Sequence, residues 1–488
     1  MFASLKRLTK HSAVYGLSLI LARSISFLLL PLHTKVFPPE AYGVVNLVFV
    51  YLAIAAIFYN YGMDSAFLRY YLLCDDVSVR RQIFSTALFS ISCAALLFTL
   101  IGWLAAAPFA RWLLGSDQYV YVMQLSAGIL FFDALATLPF LILRAEERSR
   151  SFAALKVVNV AINFALNYIF IITLKHGIAG AFEANLIASM FSVVVFGPLI
   201  WRHLEWRFRR PMFKEMLAFG LPYVPSTLAV VLVDNISRVF LEKHADLATV
   251  GMFSAGYKLG MIMSLIVAAF RFAWQPFFLS TSRQPDAKLI FSRVLTYFAL
   301  ASSVLYLAMA FFVDDLVRFN FGGFQLIGAD YWSSTVIVPI VLLAYVFLGG
   351  YIIFIVGIQL EKKTVYLPFI TGLGAAVNVA ANYTLIPRFG MVGAAWSTVL
   401  AYVAMATSLY WASQRYYPID FEWGRILKLA AVVAALFFIP RLFAVPFLGR
   451  LALLLAYPGL LLAVRFFHPT ELNRLRRMIG KGGAVPLQ

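Results

Sequence analysis

Charge is what this chain has least of. Only 13% of its 488 residues are Asp, Glu, Lys or Arg, where a soluble globular chain carries roughly a quarter. Cysteine is nearly absent too: Cys74 and Cys93 are the two, so no disulfide framework holds the fold. The six histidines, at positions 11, 33, 176, 203, 244 and 468, fall at predicted helix ends or in loops, which argues against a histidine proton relay or a buried zinc site. No Gly-rich phosphate loop of the Walker type appears, which argues against direct use of ATP. Short segments of alternating hydrophobicity, the mark of a transmembrane barrel, are also missing.

What fills the chain instead is apolar. It is 62% hydrophobic with a mean hydropathy of +0.86. Nearly uncharged runs of roughly 20 residues recur along its whole length, each long enough to cross a hydrocarbon core of about 30 Å as a helix. The expected fold is all-α and polytopic, with fourteen transmembrane helices starting near Ser12, Tyr42, Ile83, Tyr119, Phe152, Ile178, Met216, Val250, Val294, Ser333, Val365, Met391, Ile426 and Leu451. The N-terminus has a basic start like a signal peptide, but its apolar run is too long and lacks a cleavage site, so it is retained as helix one. Lys428, Arg441 and Arg450 crowd the ends of the last two helices.

The net charge is +18. Most of the Lys and Arg fall in loops and tails on one side, which places both termini in the cytoplasm by the positive-inside rule. RHLEWRFRRP (residues 202–211) and NRLRRMIGK (473–481) read as anchors beside anionic lipid rather than as a nucleic-acid surface.

Two stretches look like one sentence written twice: VNVAINFALNYIFIITLKHGIAGA (158–181) and VNVAANYTLIPRFGMVGA (377–394). Setting Asn163 on Asn378 places Asn167, Tyr168, Gly177, Gly180 and Ala181 on Asn382, Tyr383, Gly390, Gly393 and Ala394 after a two-residue gap, and upstream Glu146 on Glu361. A rival register pairs VNVA with VNVA but loses the Glu pair. A weaker echo sets Gly43 on Gly251. An offset of roughly 210 residues spans six helices, an even number, so the copies share one orientation, as in alternating-access transporters with a site between the lobes. The expected division is a first lobe over 1–205, a second over 206–416, an extra helix pair over 417–467 and a basic cytoplasmic tail over 468–488. Asn163 and Asn167, like Asn378 and Asn382, share a helix face; they either bond across a lobe interface or line the cavity. The glycines suit a tight loop and close helix approach.

Together LRAEERSRSFAALKVVNVAINFALNY, its copy from IQLEKKTV to MVGAAWST, and the opening KHSAVYGLSLILARSISFLLLPLHTKVFPPEAYGVVNLV resemble the polysaccharide-transport or Wzx-type O-antigen flippase family of the MOP superfamily over residues 1 to about 415. The resemblance implies a MATE-like fold with two extra C-terminal helices. It also implies a flippase that carries polyprenyl-pyrophosphate-linked oligosaccharides across the bacterial inner membrane, beside membrane lipids and other polysaccharide-assembly proteins. Cargo within the superfamily stays open between such lipids, the peptidoglycan lipid intermediate and cationic drugs. A membrane glycan polymerase is the rival from another class.

An ionisable group deep in a helix costs about 2.5 to 3.5 kcal/mol or more, so it faces a cavity or a partner. Arg23 and Lys258 fall near the expected midplane, Arg271 closer to the cytoplasm and Arg238 near the outer end of helix seven. The embedded acids are Asp64, Asp133, Asp234 and, near the surface, Glu183. Asp234 and Arg238, four apart, are placed to neutralise each other; Asp64 and Arg271 occupy corresponding places in the repeat and are expected to face across the gap. Arg forks and Lys point charges at this depth suit a diphosphate, so Arg23, Lys258, Arg271 and Arg238 are the expected substrate contacts. Asp64, Asp133, Asp234, Asn163, Asn167, Asn378 and Asn382 are the cavity or coupling candidates. No cofactor or metal is expected; coupling to H⁺ or Na⁺ stays open, with Asp64 or Asp133 as the carrier.

Overall fold

The structure, a computed structural model, describes residues 27–320, 322, 325–468 and 471. Those residues form helices and no strand. In chain order these are α1 (Phe27–Val36), α2 (Pro39–Asn60), α3 (Met63–Leu73), α4 (Val77–Leu104), α5 (Ala106–Leu114), α6 (Val120–Ala145), α7 (Ser149–Asn167), α8 (Gly177–His203), α9 (Arg210–Gly220), α10 (Tyr223–His244), α11 (Leu247–Gly260), α12 (Ile262–Thr281), α13 (Ala287–Arg318), α14 (Val338–Leu360), α15 (Tyr366–Tyr416), α16 (Trp423–Phe443) and α17 (Phe447–Ala463). Among the described residues, eleven helices are long and apolar enough to cross a membrane. The expected starts at Tyr119, Phe152, Ile178 and Ile426 lie within a few residues of observed ones, and most of the expected helix one falls outside the described residues.

Two spans are built differently from the sequence expectation, each for a local reason. The helix expected from Met216 is two pieces, because Pro222 supplies no N–H and α10 starts only after it. The helix expected from Tyr42 breaks at Tyr61 and Gly62, both in the left-handed region, and a Cβ on Gly62 would overlap the backbone carbonyl of Gly220 on α9. The helices expected from Val365 and Met391 are both present, as the two parts of α15, which meet at Gly390, whose φ of 53° and ψ of −130° are non-helical.

The sequence repeat is also a repeat of backbone conformation. Glu146 and Glu361 end α6 and α14 with φ −85° and −86° and ψ 10° and 8°. Their successors Glu147 and Lys362 are both left-handed, at φ 55° and 56°. Downstream, Gly177 and Gly390 are left-handed at φ 61° and 53°, a region that glycine enters without a Cβ penalty. The register through the Glu pair is therefore the one the backbone follows. The two extra residues of the first copy lie where α7 widens into π turns over Tyr168–Thr173, as inserted residues in helices commonly do.

Helices α4, α6, α7 and α8 pack on one another, and so do α10, α12, α13, α14 and α15; α2 crosses between the groups by packing on α10 and α11. Helices α16 and α17 lean on α13 through a small core of Leu307, Phe311, Leu429, Leu436, Tyr457 and Leu461. The α2–α11 crossing is close because both helices carry glycine there. A Cβ on Gly43 would overlap the carbonyl of Leu247, and one on Gly251 the carbonyl of Pro39. At this same end Tyr331 donates to Phe37 O (2.7 Å) and the Gly328 N–H to Thr34 Oγ1 (3.2 Å). One end of the bundle is thus sealed by backbone contact, and space remains beyond it.

Candidate functional site

The space beyond the seal is a cavity of about 530 Å³ walled by α1, α2, α10, α11, α12, α14 and α15. Three of the expected cations reach it: Arg238 from α10, Lys258 from α11 and Arg271 from α12, with Asp234 the acid among them. Arg23 lies outside the described residues.

Each cation is held differently. Arg238 is buried, its Nε donating to Ser254 Oγ (3.1 Å) and one terminal nitrogen to the backbone carbonyl of Asp234 (2.9 Å), with the guanidinium 4.9 Å from the Tyr257 ring centre. The expected neutralisation of Arg238 by Asp234 therefore runs at least partly through the peptide oxygen, because four residues is one helical turn. The Asp234 carboxylate accepts from the Tyr402 hydroxyl, beside Tyr257 and Tyr345, whose hydroxyls are 3.3 Å apart. Lys258 donates from Nζ to Tyr42 OH across the α2–α11 crossing (2.8 Å) and stands 5.1 Å from that ring's centre. Arg271 is exposed to the cavity. No carboxylate among the described residues forms an ion pair with Lys258 or Arg271. Such cations keep their fields available to an arriving anion.

A second cavity, about 770 Å³, lies toward the other end of the first helix group. It collects Asp64 from α3, Asp133 from α6 and Lys156 from α7, with Asn60, Asn159 and Tyr59. Ser189 donates to Asp133 Oδ1 at 2.7 Å, and the Lys156 ammonium sits 4.0 Å from the Phe140 ring centre. Arg271 lines the first cavity while Asp64 and Phe272 line the second, and no ion pair joins Asp64 to Arg271 among the described residues. Equivalence under a pseudo-twofold brings residues together only where they lie near the axis, as Gly43 and Gly251 do.

The asparagine pairs do one job twice. Asn167 Nδ2 donates to Asn163 O (2.8 Å) and Asn163 Oδ1 (3.0 Å). Asn382 Nδ2 donates to Asn378 O and Oδ1, both at 2.9 Å. None of the four lines either cavity. The first pair also reaches His33, whose Nε2 is 3.0 Å from Asn167 Oδ1. Sequence reasoning passed over His33 as a helix-end histidine, yet it is 2% exposed and lines the first cavity. It also omitted Lys156, whose signal was available: a lone ammonium seven residues into the apolar α7.

Comparison with known proteins agrees with this architecture. The chain is 21% identical over 423 residues to an uncharacterized membrane protein of Haemophilus influenzae, covering 84% of this chain and 97% of that one. It superposes on the lipid II flippase MurJ in an inward closed conformation with a TM-score of 0.74, at 16% identity, over 96% of this chain and 100% of that one. An inward-facing multidrug resistance MATE family transporter of the MOP superfamily gives 0.62 at 18% identity, over 86% and 96%. At these identities the likeness is one of fold, and it is the MATE-like fold expected from the sequence. Residues 8–282, more than half the chain, match the family described as polysaccharide biosynthesis protein. This multi-pass membrane chain is a member of the polysaccharide biosynthesis protein family.

Proposed function

We propose that the protein is a flippase that moves a polyprenyl-diphosphate-linked oligosaccharide from the inner to the outer leaflet of the bacterial inner membrane, by alternating access between its two helix groups. The observation that supports this reading is the convergence of Arg238, Lys258 and Arg271 on one cavity where α1 and α2 meet the second group, against the single acid Asp234 among the described lining residues. Three cations are expensive to hold in a membrane, and an anionic cargo offsets that cost on arrival. A diphosphate suits them: Arg271 forks onto its oxygens and Lys258 acts as a point charge. The polyprenyl tail stays in lipid, and the cycle draws on an ion gradient rather than on a nucleotide.

In this reading the seal at Gly43 and Gly251 is the periplasmic gate, both termini are cytoplasmic, and the cavity fills from the cytoplasmic side. An exporter of organic cations is the weaker reading, because unpaired cations repel that cargo. Proteoliposomes carrying the protein separate the two. The expected result is translocation of an undecaprenyl-diphospho-oligosaccharide with no efflux of a fluorescent organic cation; the opposite pattern overturns the proposal.

A further inference from the structure

The two halves differ in one place where the repeat makes them most alike. Asn167 and Asn382 both turn their Nδ2 onto two oxygens one turn back, which points Oδ1 the other way. In the first half that oxygen meets His33 Nε2. In the second half Asn382 Oδ1 is buried with no hydrogen-bond partner among the described residues. The residue ten before Gly251 is Leu241, where the residue ten before Gly43 is His33. The asparagine pair therefore stands without a histidine, so His33 is an addition to the repeated scaffold rather than part of it.

The same geometry fixes its tautomer. Asn167 Nδ2 faces acceptors, so its Oδ1 must accept from His33, and the imidazole proton sits on Nε2. That leaves the Nδ1 lone pair as the place for a second proton, and Nδ1 has no hydrogen-bond partner among the described residues. The groups around it come from every side: Asn167 on α7, Tyr42 on α2 (ring centres 6.1 Å apart), Lys258 on α11, and across the cavity Asp234 and Arg238 on α10 and Arg271 on α12. A second positive charge beside Lys258 is unfavourable in an empty cavity and favourable beside a dianion.

We propose that His33 is a proton-linked substrate contact: it is neutral in the empty cavity, takes a proton at Nδ1 as the diphosphate enters, and releases it when the cargo leaves. One proton then enters and leaves the site with each diphosphate, which links binding to pH. This rests on the diphosphate reading above. No covalent step is involved.

The test uses purified full-length protein in nanodiscs and a farnesyl-diphospho-N-acetylglucosamine diester, whose two phosphates remain ionised across the range studied. Affinity is measured from about pH 6 to about pH 8, a range that an ordinary imidazole spans. The wild type is expected to bind about tenfold more tightly at the acid end, one unit of linkage. His33→Gln keeps a donor for Asn167 Oδ1 and is expected to bind with no such slope. An equal slope in both overturns the role of His33 while leaving the flippase reading intact. No binding at any pH overturns the flippase reading itself. If His33→Gln does not fold, the wild type alone decides: calorimetry in buffers of different ionisation enthalpy is expected to show net proton uptake on binding, and none overturns the proposal.

Discussion

A charged side chain and an asparagine are both out of place in an apolar helix, and the structure separates what each is there for. Lys258 and Arg271 face a cavity with no carboxylate partner among the described residues, so on the proposed flippase reading replacing them removes a substrate contact rather than a packing element. Lys258→Gln and Arg271→Gln are each expected to lower transport at least tenfold while leaving the thermal unfolding midpoint within experimental error, a loss of about 1.4 kcal/mol or more in transport free energy. Asn378→Ala is expected to do the reverse. Asn378 is fully buried and its amide and carbonyl oxygens hold Asn382, so its loss costs about 1 kcal/mol of stability with transport per folded molecule unchanged. Matched thermal and transport measurements on all three variants check both statements. The sequence exposed these residues as anomalies but not their roles. An asparagine reads the same whether it caps its own helix or faces water, and His33 is buried partly by Asn167, 134 residues away.

At the scale of elements, the repeated turns were legible because their chemistry is local. Gly177 and Gly390 need positive φ, and Glu146 and Glu361 end helices in one shared conformation. Long-range crossings were less legible. Gly43 and Gly251 appeared as a faint echo, and only their meeting shows that both are glycine so that α2 and α11 can touch. Gly251→Val is therefore expected to push this end apart and hold the protein open there. Spin-label distances between α2 and α11 would lengthen, and transport would fall, because alternation requires both states. A distance distribution identical to wild type would refute the gate.

The C-terminal pair shows a different kind of joint. Arg425 binds Glu422 and Glu471 at 2.9 Å each, and Tyr297 donates to Glu471 at 2.7 Å. Burial pushes the Glu471 carboxyl up, but the hydrogen bonds from Tyr297, the His468 N–H and Arg425 outweigh it and hold the carboxyl below its ordinary value. A depressed carboxylate contributes stability that is present at neutral pH and is lost as pH falls through the folded value. The hydrogen-exchange protection factors around residues 464–468, which correct for slower intrinsic exchange in acid, are accordingly expected to fall on acidification, and Arg425→Gln to lower them at neutral pH.

For the whole molecule, an all-α polytopic fold with MATE-like neighbours follows from the apolar runs that recur along the chain, which is why the fold class was legible in the sequence. The arrangement of the groups about the axis was not. Periodicity states which face of a helix is apolar, not which distant helix that face meets, and so Asp64 and Arg271 were expected to face one another but line separate cavities. The central claim is that the cations lining the first cavity carry a diphosphate across the membrane. Its most direct test is translocation of an undecaprenyl-diphospho-oligosaccharide in proteoliposomes, comparing wild type with the Lys258→Gln, Arg271→Gln double variant at matched incorporation. Transport by the wild type and none by the double variant is the predicted result. Equal transport by both, or none by the wild type, would contradict it.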